Sequence, residues 1–558
     1  MTVAPRLDAY RFHERSWESY EQLRAVFEWE VPGTFNMATY LCDRWDDRDD
    51  AAIHAAEASG RERTVTFAEL RRSADALADY FAAEGVGRGD RIGINAPQKP
   101  ETLIAHLAAW KLGAVSVPTS VLFGDDALRY RLADANVTAC VVDRANVETL
   151  RRVRDDAGID LTLTVDVPDR RPDEVAFSDA VEAGSGPFET VATDPEETAL
   201  VVYTSGTTGE PKGVVHGHRL LLGQLPHFLC SFCNLTIADD DTFYAPIEWA
   251  WIAVFNFVVP ALFYGRPVVA YAGESFDPHT TFELLDRYGV TCFGAPPTAL
   301  REMATVDAPA DRYDLDAVRV VEAGGESLGA DVAMWARGVF DATVHEHYGQ
   351  TEADVLVGDC TALFPRRTGA MGRPLPGHEV AVLDPETLEP VAAGTVGELA
   401  VGYDGDPVCF EQYWNELNRT AAKVRDGWLL TGDFATVDAD GYVSFRGRTD
   451  DVIIRSGYRI DPAAIEETLS AHDAVVDAGV IGIPDERRGE VPKAYVVPAA
   501  GRDADGLAPE LRTHVKERLA RYEYPSEFEF VGELPTTVTG KIERSALGNR
   551  DVDEEEGG

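Results

Sequence analysis

Short apolar runs alternate with longer amphipathic stretches through the first two-thirds of the chain. RIGIN (Arg91–Asn95) reads as a strand, KPETLIAHLAAWKLG as the helix after it, and AVSVP (Ala114–Pro118) as the next strand. TALVVY (Thr198–Tyr203) reads as a buried strand, and GVVHGHRLLLGQL, from Gly213, as a helix. The cycle returns at VTCFGAP, VRVVEAGG and TVHEHYG, each expected to lead through glycine, proline or a polar loop into a helix. This alternation predicts an α/β fold of mainly parallel sheets flanked by helices. Ligands of such folds collect at the carboxyl ends of the strands, where the polar clusters of this chain fall.

Two stretches change texture. WAWIAVFNFVVPALFY (Trp249–Tyr264) carries no charge, but Glu248 and Arg266 bound it and Pro260 interrupts it. It is too short to span a bilayer, so a buried helix is expected. From about Gly377, HEVAVLD, GELAVGY and GYVSFRGR are shorter, more alternating strands, which predict a small β subdomain. RGRTDDVIIRSGYRI then opens a domain-sized final unit. The expected division is a large N-terminal domain over 1–449, a small α+β domain over 450–550, and a solvated, disordered acidic tail, DVDEEEGG, over 551–558.

Length alone argues for more than one domain. Charge adds more: Asp+Glu 96 against Lys+Arg 51 gives a net charge of -45, spread along the chain. Such a surface repels nucleic acid and anionic membranes, and neither is an expected partner. Only seven of the basic residues are lysine. An acid-rich, lysine-poor surface resembles that of proteins from halophilic microbes, archaea among them, where salt screens self-repulsion. An ordinary acidic bacterial enzyme is the alternative. The seven cysteines are scattered; Cys230 and Cys233 form one CxxC without a second pair. A structural zinc site needs four ligands, so buried free thiols in a reducing cytoplasm are expected. The N-terminal MTVAPRLDAY is charged and does not read as a secretory signal.

YTSGTTGEPKG (Tyr203–Gly213) carries the densest chemistry. Gly206 and Gly209 leave backbone N–H groups unobstructed, and Thr204, Ser205, Thr207 and Thr208 add hydroxyls. Convergent donors after a strand suit a polyphosphate, and Lys212 adds a point charge. A flexible surface turn is the bland alternative. The loop is not GxxxxGK[ST], because Lys212 is followed by Gly213.

This loop resembles the phosphate loop of the adenylate-forming superfamily, which includes acyl-CoA synthetases, peptide-synthetase adenylation domains and luciferases. Further stretches follow in the order of that family. AGGESL (Ala323–Leu328) resembles the adenine-contacting segment, with Gly325, Glu326 and Ser327. EHYGQTE resembles the segment joining nucleotide, substrate and magnesium: Glu346, His347, Tyr348, Gly349, Gln350 and Thr351 fall to the nucleotide, and Glu352 to the metal. TGD places Asp433 on the ribose, supported by Arg448, and TVTGKIER supplies a catalytic Lys541.

The chemistry fits the residue types. Asp433 can accept both ribose hydroxyls, and Glu352 is a hard oxygen ligand suited to Mg2+. A surface ion pair, a helix-start acid and a helix cap are the plainer readings of Asp433–Arg448, Glu352 and Gly325–Ser327. The resemblance implies catalysis by Lys541, Glu352, Thr204 and Lys212 in two steps. A carboxylate attacks ATP to give acyl-adenylate and pyrophosphate, then a thiol displaces AMP. It further implies a mobile C-terminal domain turning about Asp450. That turn withdraws Lys541 and presents Ser456, Gly457, Tyr458 and Arg459 to coenzyme A. Arg488 and Lys516 resemble contacts to CoA phosphates, with a solvated face as the alternative.

FNMATYLCDRW, MGRPLPGHEVAVLD, CFEQYWN and YPSEFEFVGELPTTVTGKIER most resemble short- and medium-chain acyl-CoA synthetases. Acetyl-specific relatives carry tryptophan where this chain has Gly349, so longer acids are expected to fit unless Trp249 or Trp251 closes the acyl pocket. Asp461 and Glu523 depart from the family's usual glycine or proline and lysine. The implied partners are a small carboxylic acid, ATP and CoA, with a homo-oligomer left open. The rivals are an adenylating enzyme with a carrier-protein thiol as acceptor, and an inert nucleotide-binding sensor. The SGYR face argues against the first, Lys541 and Glu352 against the second.

Overall fold

The computed structural model describes residues 5–45, 47–204, 210–448, 451, 453–455, 458–460, 462–485, 487–499, 506–519, 523–536, 542–544 and 546–547, with Ile454, Tyr458, Arg459 and Gly489 as backbone only. Two compact units emerge, the larger comprising 1–205, 211–379 and 401–429 and the smaller the remainder.

The larger unit holds two mainly parallel sheets. In the first, Arg91–Asn95 lies parallel to both Val115–Pro118 and Ala139–Asp143, and Thr198–Thr204 extends it beside Val115–Pro118. Pro100–Leu112 connects the first pair as a right-length crossover helix, opened by Pro100 and closed at Gly113, whose φ of 70° suits a left-handed cap. Its residues are apolar on nearly every side, and nearly all are buried. In the second sheet, Cys292–Gly294, Val320–Gly324 and Thr343–Gln350 run parallel, so Gly294, Gly324 and Gln350 end on one edge. Phe293, Leu300, Val321 and Phe340 belong to the core beneath it.

Burial of acid-paired ammonium groups is a feature of this unit. Lys99 Nζ lies 2.7 Å from carboxylates of Asp143 and Asp166, and Lys111 pairs with Asp43 and, at 2.8 Å, Asp75. Two carboxylates around each cation compensate its loss of water.

Three expectations are overturned. GVVHGHRLLLGQL is not one helix: Lys212–Gly217 is a strand antiparallel to Thr198–Thr204, and the helix runs only over Leu220–His227. The β-branched Val214 and Val215 suit a pleated ribbon better than a helix start. TVHEHYG leads into an antiparallel strand, Asp354–Gly358, rather than a helix. Trp249–Tyr264 is not a single helix: Val254–Phe257 and Val259–Phe263 are separate, because Pro260 cannot continue the first and sits in the first turn of the second. Among the described residues no helix is long and apolar enough to cross a membrane.

Val380–Leu383, Gly397–Gly402, Trp428–Val437 and Val443–Arg448, most of whose residues fall in the smaller unit, form the expected β sheet. It groups with the C-terminal residues rather than with the rest of 1–449. The helix Pro462–Ser470 packs on Val443–Arg448, so the two share buried surface. A second sheet pairs Val475–Asp485 with Gly489–Pro498, adds Glu527–Phe530 in parallel, and packs Ile465, Leu469, Leu511 and Val515 into one core. The tail 551–558 lies outside the described residues.

Candidate active site

The hairpin changes how the predicted phosphate loop is anchored. Thr204 stands opposite Lys212 in register, so the loop leaves and re-enters a single β ribbon. Ser205, Gly206, Thr207, Thr208 and Gly209 lie outside the described residues. A third strand, Gln412–Tyr413, pairs with Lys212–Gly217, placing Tyr413 opposite Val214. The Tyr413 phenol donates to Glu352 Oε1 at 2.5 Å, and Lys212 Nζ sits 5.4 Å from the Tyr413 ring centroid. Burial and the neighbouring Glu352 push the Tyr413 phenol far above its usual range, so it remains a donor.

Backbone bonds fix Glu352 in place. Its carbonyl accepts from Phe410 N at 2.8 Å, and the carbonyl of Thr351 lies 2.7 Å from His216 Nε2. Burial holds the His216 imidazole down at about 4, so the neutral ring donates there. A cation, a carboxylate and hydroxyl groups thus meet beside the ends of the loop. The Glu352 carboxylate keeps a second oxygen for a hard cation such as Mg2+, a fit its donor chemistry allows. Tyr413 was missed in the sequence; its only signal is the stretch CFEQYWN.

The segment predicted to contact adenine is held by its own acids. Gly325 has φ 89°, a left-handed turn that glycine permits, and Gly325 and Ser327 are exposed. Glu326 faces away from them, accepting from Thr298 and pairing with Arg301 at 2.7 Å. Glu346 Oε1 accepts from Leu328 N at 3.2 Å, while Oε2 meets Arg366 at 3.1 Å. Burial raises the Glu346 carboxyl despite these donors. Both carboxylates therefore clamp the loop, leaving Gly325 and Ser327 as the exposed groups. Tyr348 is buried, and Gln350 Nε2 donates to its hydroxyl at 3.3 Å.

Gly349 sits at a bulge against Asp354–Gly358. A Cβ there would fall 1.7 Å from the Asp354 carbonyl oxygen, so a side chain requires a different backbone path. Trp249 is sealed in the core with its indole N–H unpartnered, whereas Trp251 is half-buried and meets Phe123 edge-on at 6.1 Å. Asp354 beneath the bulge accepts from Gln224, and burial raises its carboxyl well above the usual range.

His347 turns inward. Its imidazole fills the space a side chain at Gly324 would need, since a Cβ there would lie 2.1 Å from Nε2. Nδ1 is 3.1 Å from Glu322 Oε1, and His227 Nε2 approaches the same oxygen at 2.9 Å. All three residues are buried. The two imidazoles hold the Glu322 carboxyl down at about 2 against the opposing effect of burial, while burial lowers His227. His227 belongs to a polar stripe, Gln224, His227 and Ser231, along one helical face that meets Asp354, Glu322 and the Asp359 carbonyl.

In the smaller unit, Asp433 pairs in register with Arg448, with Oδ1 3.6 Å from Nε. Thr431 Oγ1 fixes the turn, donating to the Leu399 carbonyl at 2.7 Å and accepting from Asp433 N at 3.1 Å. Lys516 Nζ sits 4.0 Å from the Tyr524 ring centroid, and Arg455 covers the same ring at 4.5 Å. Arg455 bonds the phenol at 3.2 Å and, with Arg488 and Lys516, holds its pKa below the usual value. Arg455 and Tyr524 thus cluster with Arg488 and Lys516. Asp450, Ser456, Gly457 and Lys541 lie outside the described residues, and Tyr458 and Arg459 are described only as backbone. All seven cysteines are free and buried, Cys230 and Cys233 among them.

Comparison with known proteins identifies the family. Residues 44–414 match the family described as AMP-binding enzyme, and 464–541 match its C-terminal domain. The chain is 33% identical to an acyl–CoA ligase, YtcI, of Bacillus subtilis (strain 168), over 88% of this chain and 92% of that one. It is 31% identical to the acetyl-coenzyme A synthetase of the same organism, over 96% and 95%. An acyl-CoA synthetase of Brucella canis shares the fold with a TM-score of 0.74 at 31% identity, covering 97% of this chain and all of that one. Enzymes of this kind use ATP, Mg2+ and CoA. The chain belongs to the AMP-binding enzyme family, as an AMP-forming acyl-CoA ligase.

Proposed function

We propose that the chain activates a short- or medium-chain carboxylic acid and transfers it to CoA. A carboxylate oxygen attacks the α-phosphorus of ATP, the bond to the β-phosphate oxygen breaks, and pyrophosphate leaves. The CoA thiolate then attacks the acyl carbon of the mixed anhydride, and AMP leaves. The observation that carries this reading is the meeting of Thr204, Lys212 and Glu352 beside the loop ends, with Tyr413 bonded to Glu352.

Thr204, the loop hydroxyls and Lys212 bind phosphate oxygens, Gly325 and Ser327 frame the adenine, and Asp433 with Arg448 hold the ribose. Glu352 would hold Mg2+, oriented by Tyr413. When bound, the ion would supply positive charge that screens the phosphates. Lys541 steadies the attacking carboxylate. Residues 450–550 act as a mobile domain about Asp450, and the cations Arg459, Arg488 and Lys516, with Arg455 beside Tyr524, receive CoA phosphates. Gly349 supports acids longer than acetate, because no indole stands in its place. An apolar pocket separates neighbouring chain lengths by only about 1–3 kcal/mol, so several acids compete. The acid surplus and the scarcity of lysine support a halophilic source, and the free thiols a reducing cytoplasm.

Carboxylate-dependent ATP–pyrophosphate exchange in concentrated KCl, run from acetate to decanoate, tests the first step, and CoA-dependent AMP release tests the acceptor. Exchange peaking between propionate and octanoate is expected. A peak at acetate would overturn the chain-length reading, and exchange without CoA-dependent AMP release would move the acceptor elsewhere. Lys541→Ala is expected to abolish exchange while sparing thioester formation from supplied acyl-adenylate. Equal loss in both steps would contradict the mobile-domain scheme.

A further inference from the structure

Among the described residues, one group of His, Cys, Asp and Glu side chains has the geometry to share a metal ion: His227, Glu322 and His347. Their donor atoms lie within 4.8 Å of one another, and all three side chains are buried. They come from three elements, the helix Leu220–His227 and the adjacent parallel strands Val320–Gly324 and Thr343–Gln350. Glycine at 324 is what lets the His347 ring enter.

Hydrogen bonding alone accounts poorly for this cluster. His227 Nε2 donates to Glu322 Oε1, yet His347 Nδ1, 3.1 Å from the same oxygen, makes no hydrogen bond. Glu322 Oε2 is buried and unpartnered. Two nitrogens therefore converge on one oxygen of a buried anion while its other oxygen goes unused. A buried carboxylate left this way is costly unless a cation compensates it.

We propose that His227, Glu322 and His347 bind one divalent transition ion of the zinc class, distinct from the magnesium at Glu352. Two imidazoles and a carboxylate are donors such ions favour, and Glu322 can bind through one oxygen or both. Tetrahedral ligation at the usual bond lengths separates donor atoms by about 3.3 Å. The 2.9 and 3.1 Å contacts need only a small spreading to reach it. The ion would tie the helix to both strands just below Gly324 and Gly325. Its role is structural, since all three ligands are buried. The proposal does not rest on the acyl-transfer reading.

Because the ligands are sealed, the ion has to enter as the chain folds. The full chain is therefore produced in cobalt-supplemented cells and stripped of surface ions by chelator in concentrated KCl. Elemental analysis and visible absorption are then recorded. Roughly one retained cobalt per chain is expected, with the intense visible bands of a four- or five-coordinate ion. Glu322→Gln and His227→Ala are each expected to lower retained cobalt by roughly tenfold or more, whereas His106→Leu, which removes another buried imidazole, keeps it. Two results would overturn the proposal: wild-type protein that retains no cobalt after chelation, or retained cobalt showing only the faint spectrum of a six-coordinate ion. Bands that survive in both ligand variants would also do so. The wild-type measurement decides by itself, so a variant that fails to fold leaves the proposal exposed.

Discussion

Glu352 and Glu322 are the same residue in opposite circumstances. Glu352 is partly exposed and has one oxygen bonded to Tyr413, whose ring lies 5.4 Å from the ammonium of Lys212. Glu322 is fully buried between two imidazoles. The first is arranged so that a ligand can reach it, the second so that water cannot. In a chain with such an excess of acid, what a carboxylate does depends less on its charge than on which donors surround it.

The contrast breaks most sharply at Glu352. Glu352→Gln is expected to slow ATP–pyrophosphate exchange by about 10²–10³-fold, or about 3–4 kcal/mol, while leaving the thermal midpoint within a degree or two. Glu322→Ala should do the reverse. Loss of the buried anion should lower unfolding free energy by about 3 kcal/mol in denaturant titrations, with exchange reduced only in proportion to folded protein. If both variants lost stability equally, the distinction between the two carboxylates would disappear.

Acid sharpens the comparison. Burial alone holds His106 at about 3, and both of its ring nitrogens are unpartnered. A histidine depressed in the folded state contributes stability above its unfolded pKa near 6.5 and loses it as pH falls toward the folded value. Glu322, depressed to about 2, loses its contribution at lower pH, as pH falls from the ordinary carboxylate value toward 2. Stability should therefore decline in the histidine window first. His106→Leu should remove roughly 2 kcal/mol of the decline between pH 6.5 and 5, read from unfolding free energies at fixed KCl. An unchanged slope would mean that His106 is solvated. The smallest effect is at Tyr413→Phe, expected to cost about 1 kcal/mol in exchange, several-fold, without moving the thioester step.

Much of the scaffold was legible because its periodicities are strong. The strand Arg91–Asn95 falls where expected, and the helix after it does too, since an apolar run between proline and glycine admits little else. The hairpin was not legible: VVHG fits one helical turn as easily as one pleat, and only its pairing with Thr198–Thr204 decides. His347 shows a different limit. Its motif points to the nucleotide, but its side chain answers to Glu322 and His227, which are remote in sequence. In so lysine-poor a chain, each retained lysine draws attention as a candidate for chemistry. Lys99 and Lys111 show that a retained lysine also marks a buried cation between two aspartates, a need that rarity alone does not separate from catalysis.

Those two buried pairs have a practical side. Amine-directed reagents used for labelling, cross-linking or attachment to a support find few targets on this chain, and Lys99 and Lys111 are closed to them while it is folded. Among the described residues, the exposed Lys516 and the half-buried Lys212 and Lys423 are the more open amines, so part of any amine coupling falls on residues assigned to CoA and ATP. Immobilisation that preserves turnover has to go through carboxylates, which this surface supplies in excess.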